Sequence, residues 1–163
     1  MRGMNFTSLN SNIGLVISAG IIATTGMTAL ALSLVKLRTL TISSIQAVGS
    51  LVTGTKHVST PLGFGIHFLV GIIFSFIYFT AFQFIGAKYG FQYLYGGVFF
   101  GLLHGIITAS LIIVSIGEHH PIHCFRPIGL ITAVAYVAAH MFYGFLLGLV
   151  FMIARGVTLL PIR

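Results

Sequence analysis

The chain has 163 residues, of which 57% are hydrophobic and 6% carry a charge, and its mean hydropathy is +1.09. A water-soluble domain of this length carries about a quarter of its residues as Asp, Glu, Lys and Arg, so the composition predicts an integral membrane protein. The formal charge of +7 comes from eight basic residues and a single acid, Glu118. Because the basic residues form no run or stripe, nucleic-acid binding is not expected.

The shortage of acids and cysteines excludes several kinds of enzyme. One acid cannot form the carboxylate pair of a glycosidase or a two-metal centre. One cysteine, Cys124, cannot form a disulfide within the chain, which excludes Cys-x-x-Cys redox chemistry. The chain also lacks a glycine-rich phosphate loop and a Gly-x-Ser-x-Gly nucleophile motif. We therefore expect a protein that is not an enzyme.

Four apolar stretches, each without a charged residue, predict membrane-spanning helices. Backbone groups in hydrocarbon must pair within their own segment, so each span is expected to be helical. The fold class predicted is all-α, a four-transmembrane-helix bundle forming a single membrane domain over residues 1–163. The spans cover approximately residues 13–35, 62–85, 93–116 and 128–154.

The N-terminal third leaves two alternatives open. Ala29-Leu30-Ala31 fits a signal-peptide cleavage site, although the apolar stretch before it is long for a signal peptide and favours a retained helix. The segment 39–50 is mildly amphipathic and predicts either a short interfacial helix or a loop packed on the mouth of the bundle. Orientation also stays open, because the Lys and Arg residues divide equally between the two sides.

Small residues at four-residue spacing mark the faces on which these helices are expected to pack. In lipid, helices associate where small side chains let the backbones approach, since there is no water to drive apolar surfaces together. In the first to the fourth span, these rows are Gly20, Thr24 and Thr28; Gly63, Gly71 and Ser75; Gly97, Gly101 and Gly105; and Gly144 and Gly148.

Three histidines, His67, His104 and His140, lie on or beside these rows and are expected to face neighbouring helices. By helical rise, His104 and His140 both lie roughly 18 Å from the loop that joins their helices, and His67 roughly 8 Å from that side. His104 and His140 are therefore candidate ligands of haem b or a metal ion. The alternatives are a hydrogen-bonded contact involving Thr108 or Tyr136, which fixes helix register, and a path for a small molecule or a proton.

The loop 117–127 is rich in potential metal ligands. A transition metal such as zinc, copper or nickel would be bound by side chains of this loop, with His67, His104 and His140 leading the ion inward. The alternatives are a polar turn in which Glu118 pairs with Arg126 or a histidine, and a pH sensor based on histidine charging. The candidate ligands are Glu118, His119, His120, His123, Cys124 and His67.

Short motifs along almost the whole chain carry a resemblance to a known group. They include Thr25-Gly26-Met27-Thr28, Pro61-Leu62-Gly63, Ile66-His67-Phe68, Gly71, Gly97, Gly101, His120-Pro121, His140-Met141-Phe142-Tyr143-Gly144 and Gly148. On these motifs the chain resembles small four-helix bacterial membrane proteins classed as domains of unknown function. The resemblance implies a multi-pass protein of the bacterial cytoplasmic (inner) membrane and supplies no activity.

Three functional hypotheses follow. The first is a non-enzymatic accessory or structural subunit of a membrane assembly, whose partners are the lipid bilayer and either further copies of the chain or a larger complex. The second is a metal-binding or metal-handling membrane protein that uses the histidine-rich loop and the intramembrane histidines. The third is a haem-b membrane protein with His104 and His140 as axial ligands.

Overall fold

The computed structural model describes residues 6–38, 40 and 43–156, and within these ranges the side chains from Asn12 onward. The described part of the chain is 83% helical and contains no strand. Four helices are long and apolar enough to cross a membrane, which confirms the all-α prediction at this level. The helices are α1 (Phe6–Lys36), α2 (Ser44–Thr53), α3 (Ser59–Phe84), α4 (Gly90–Ile112) and α5 (Leu130–Ala154).

The ends of α4 differ from those of the predicted apolar span, and local hydrogen bonds explain where the helix begins. The helix begins at Gly90, earlier than the predicted span, because the Gln92 side chain accepts hydrogen bonds from the backbone N–H groups of Lys88 and Tyr89, at 2.7 and 3.0 Å. At its other end α4 continues into a π-helical turn, Ile113–Glu118. A short 3₁₀ turn, His123–Phe125, lies between this turn and α5.

The long helices pack in the spatial order α3, α1, α5, α4. Helix α1 contacts both α3 and α5, and α4 packs extensively on α5. Helices α3 and α4 are consecutive in the chain, yet their backbones come close to each other at few positions. They meet mainly through aromatic side chains, such as Phe82 with Tyr93, and their backbones stay apart.

The α4–α5 contact is formed by glycines. A Cβ built on Gly97 would overlap the carbonyl of Gly144, and one built on Gly144 would overlap the carbonyl of Gly97. Gly148 lies in the same way against the Tyr93 carbonyl, and Gly101 against the backbone of His140. The predicted rows of the third and fourth spans thus meet, with their backbones in direct contact.

The α1–α3 contact combines glycines with hydroxyl groups. The Ser75 hydroxyl donates a 2.7 Å hydrogen bond to the Val16 carbonyl, and Gly20 lies against the backbone of α3. Thr24 places its Oγ1 directly over Gly71, where any side chain would collide with it. The glycine row of α3 was expected to meet another long helix along its length. At Gly63 this is wrong, because Gly63 packs against Ile45 of the short helix α2.

Helix α2 lies against the beginning of α3. Its N-cap is Ser43, whose hydroxyl accepts from the Gln46 N–H, and it ends at Gly54, which has a φ of 68°. Gly49 touches the Ser59 carbonyl, and the opposite face exposes Leu51 and Val52. The predicted segment 39–50 is therefore partly helical and also packed on the bundle, while its residues 39, 41 and 42 lie outside the described residues.

Replacing Gly144 with alanine is expected to destabilise the protein. The new methyl group would overlap the Gly97 carbonyl, so α4 and α5 must separate, at a cost of about 1–3 kcal/mol in the free energy of unfolding. Gly65→Ala is the matched control, because a Cβ there meets nothing within 4 Å. Of the two variants, only Gly144→Ala is expected to lower the melting temperature in detergent, by several degrees. Equal melting temperatures for the two variants would contradict the glycine contact.

Candidate functional site

A cavity of about 270 Å³ lies where α3 and α4 stay apart. All five helices contribute to its wall, which is mostly apolar. The polar groups that line it include His67, His104 and His140 together with Tyr136 and Tyr143. We call this space the histidine cavity. Its size is at the lower end of the roughly 300–1,000 Å³ typical of ligand pockets.

The histidine cavity opens sideways, between α3 and α4. Three of its lining residues are well exposed on the outer surface: Val70 on α3 at 41%, and Ile107 and Leu111 on α4 at 60% and 61%. Helix α2 contributes Ser44 and Ile45 to the wall at the end nearest the histidine-rich loop. The exposed side of the cavity therefore lies between α3 and α4.

His104 and His140 meet inside the protein. Their ring centroids are 4.7 Å apart with the planes at 74°, and both side chains are 8% exposed. The face of His104 stacks on Phe74 of α3, with centroids 3.6 Å apart and planes at 13°. The two imidazoles are thus level and shielded by neighbouring helices, as helical rise predicts.

The hydrogen bonds of these rings determine which nitrogens are free. His140 Nδ1 lies 2.6 Å from the Tyr136 carbonyl and donates its proton to it, so the neutral ring presents Nε2 as an acceptor. The Nδ1 of His104 is buried and has no hydrogen-bond partner among the described residues. The predicted contact with Thr108 involves the backbone instead, because the Thr108 hydroxyl donates to the His104 carbonyl at 2.8 Å. In both rings Nε2 makes no hydrogen bond within the described residues, and both rings line the cavity.

His67 is the third imidazole of the cavity and the least buried. Its ring makes an edge contact with Phe68, with centroids 6.3 Å apart, and has no hydrogen-bond partner within the described part of the chain. Across the cavity wall, the Tyr143 hydroxyl donates a 2.5 Å hydrogen bond to the Gly71 carbonyl. This bond ties α5 to α3 one helical turn from His67.

His120 has a structural role that its place in a polar loop does not reveal. Its side chain is fully buried, and its Nδ1 accepts a hydrogen bond from the Ile122 N–H at 3.0 Å. The proton is therefore on Nε2, which lies 3.1 Å from both the Ala47 carbonyl and the Ser50 hydroxyl of α2. His120 thus fastens the histidine-rich loop to α2. In the sequence, the feature that could have indicated this contact is Ser50, a serine in the mildly amphipathic segment 39–50.

The other candidate ligands of the histidine-rich loop point outward. Glu118, His119, His123 and Cys124 are exposed, and His119 directs Nδ1 to the Val114 carbonyl at 2.8 Å. No three His, Cys, Asp or Glu side chains come together anywhere in the described ranges. His120 is occupied by its contacts with α2, and Arg126 donates from Nε to the His120 carbonyl at 2.7 Å. The metal hypothesis stays a prediction for which the loop offers no preassembled site.

The geometry of His104 and His140 does not favour a bis-histidine haem. Two imidazoles on opposite faces of one iron, each about 2 Å from it, have ring centroids about 6 Å apart, with the porphyrin between them. The observed rings touch edge to face at 4.7 Å, and Phe74 covers the free face of His104. Haem binding stays a prediction that would require these side chains to separate.

No protein-family model matches the chain, and neither a curated protein nor a solved structure matches it significantly. The resemblance to four-helix bacterial membrane proteins therefore stays a prediction. Functional conclusions rest on the residues of this chain and their arrangement.

Replacing His120 with alanine is expected to loosen α2. The change removes buried hydrogen bonds from the Ala47 carbonyl and the Ile122 N–H, which costs about 1–3 kcal/mol in the free energy of unfolding. His119→Ala is the control, since that ring is exposed. Thermal melting in detergent, followed by circular dichroism, should show a clear loss of stability only for His120→Ala. Equal stability of the two variants would remove the structural role assigned to His120.

Proposed function

We propose that the chain is a multi-pass membrane protein that binds a neutral, apolar molecule taken from the lipid phase. In this proposal α1, α3, α4 and α5 cross the bilayer, and the protein acts by binding without catalysis. The observation that carries the proposal is the lateral opening of the histidine cavity between α3 and α4. Because that opening faces the surface that lipid would cover, the bilayer is the natural source of the ligand.

The outer surface of the long helices supports membrane insertion. The most apolar window of α3 is only 22% buried within the protein, and that of α4 only 28%. Their exposed side chains include Leu69, Ile77 and Phe99. Such a surface would be unstable in water, whereas in hydrocarbon it needs no further cover.

The wall of the histidine cavity supports a neutral ligand. None of the described residues that line it is a Lys, Arg, Asp or Glu. A charged group placed there would lose its hydration without gaining an opposite charge, which is costly at this depth. The imidazole nitrogens and tyrosine hydroxyls instead offer hydrogen bonds to an uncharged polar group.

The wider setting of the protein is also part of the proposal. The resemblance implies a protein of the bacterial cytoplasmic membrane, and a ligand-binding protein of this size suits an accessory subunit of a larger membrane assembly. Co-purification from native membranes tests that association. The metal and haem hypotheses remain predictions, which elemental analysis and an absorption spectrum of the purified protein test.

Membrane crossing can be tested with cysteine labelling, because Cys124 is the only cysteine and is exposed. Lys88→Cys in a Cys124→Ser background places the only cysteine in the exposed turn at the other end of α4. If α4 spans the bilayer, a membrane-impermeant maleimide applied to intact cells should label only one of the two positions. Permeabilised cells provide the control in which both are labelled. Equal labelling of both positions in intact cells would contradict the topology.

Ligand entry can be tested with a single tryptophan, because the chain contains none. Val70→Trp places the reporter at the opening, and Ile77→Trp places it elsewhere on the exposed surface of α3, away from the cavity. With bromodecanol as a quencher in phosphatidylcholine vesicles, we expect saturable quenching for Val70→Trp and linear quenching for Ile77→Trp. Linear quenching at both positions would indicate partition into lipid alone.

A further inference from the structure

We propose that the ligand of the histidine cavity is a quinone-type molecule, with its planar ring inside the cavity and its apolar tail in the gap between α3 and α4. This inference rests on the proposed function and names the class of ligand. It combines four observations: the absence of charge among the described lining residues, the arrangement of free imidazole nitrogens, a flat aromatic surface and a lateral exit.

The free nitrogens provide complementary hydrogen-bonding groups around one small volume. His140 Nε2 is an acceptor, because Nδ1 donates to the Tyr136 carbonyl. In the Nε2–H tautomer His104 directs its proton into the cavity, where a ligand oxygen can accept it. His67 adds a third ring to the wall, and its nitrogens make no hydrogen bond to any residue that the structure describes. A ring with carbonyl oxygens accepts from the donors, and its dihydroxy form also donates to His140.

The stacked rings of Phe74 and His104 provide a flat edge to the cavity, and Tyr136 and Tyr143 line its α5 side. Planar conjugated rings pack well on such aromatic surfaces, in stacked or edge-on geometry. A cavity of about 270 Å³ holds a ring-sized group and is small for an entire lipid. The shape therefore favours a compact planar head group over a branched or flexible one.

The gap between α3 and α4 leaves room for the apolar tail of such a molecule. Val70, Ile107 and Leu111 line the gap with aliphatic side chains and are exposed on the outer surface. A tail attached to the ring can leave through this gap and lie among lipid chains, where it buries no polar group. Phosphate-bearing and cationic head groups fit less well, since no described lining residue supplies an opposite charge.

The test uses a decyl-tailed benzoquinone as the probe and the Val70→Trp reporter in phosphatidylcholine vesicles. Quinones quench indole fluorescence on contact, so we expect saturable quenching of Val70→Trp and linear quenching of Ile77→Trp. Adding His104→Phe preserves a ring on Phe74 but removes Nε2. This change should weaken the apparent affinity roughly tenfold, the effect of losing one hydrogen bond. The matched control, Leu103→Phe, changes an exposed residue outside the cavity and should leave the affinity unchanged.

The outcomes separate this inference from the proposed function. Saturable quenching by bromodecanol with only linear quenching by the benzoquinone would overturn the quinone assignment and leave ligand entry standing. Linear quenching by both probes would overturn both. Saturable benzoquinone binding that His104→Phe leaves unchanged would also overturn the inference, because the ring would then bind without the imidazole.

Discussion

The close contact between the backbones of α4 and α5 is the constraint on which the rest of the molecule depends. Gly97, Gly101, Gly144 and Gly148 let these helices touch at their carbonyl groups. Gly101 lies against the backbone of His140, and His104 follows it by one turn of α4, so the same contact brings the two imidazoles together. This packing therefore determines where the two polar rings are shielded.

The cavity forms because the backbones of α3 and α4, unlike those of α4 and α5, do not touch. These helices meet through large aromatic side chains, in the contacts of Phe82 with Tyr93 and of Tyr78 with Phe100. Aromatic rings hold the backbones apart where glycines would let them touch. Beyond the Phe74–His104 stack no such ring bridges the gap, and the space opens into the histidine cavity. The side chains between α3 and α4 therefore fill one end of this interface and leave the cavity at the other end.

The histidine-rich loop shows how residue type alone can mislead. Imidazole nitrogens that suit a metal ion also suit backbone groups, so the sequence of the loop fits both uses. In the fold, His120 turns inward to Ser50 and the Ala47 carbonyl, because α2 lies close to the loop. The exposed His119 and His123 belong to no group of three or more metal-ligating side chains in the described part of the chain.

Composition and residue spacing were enough to predict the helical class, the four long apolar helices and the glycine rows on which helices pack. These features depend on composition and on a spacing that repeats along one helix, so no partner need be known. Residue spacing also predicted that His104 and His140 are level, because helical rise converts residue number into depth. Three features could be read only from the folded chain: Gly63 meets α2, His120 is buried, and the backbones of α3 and α4 stay apart. Each of these depends on which helices become neighbours, and that depends on side-chain volumes from segments far apart in the chain.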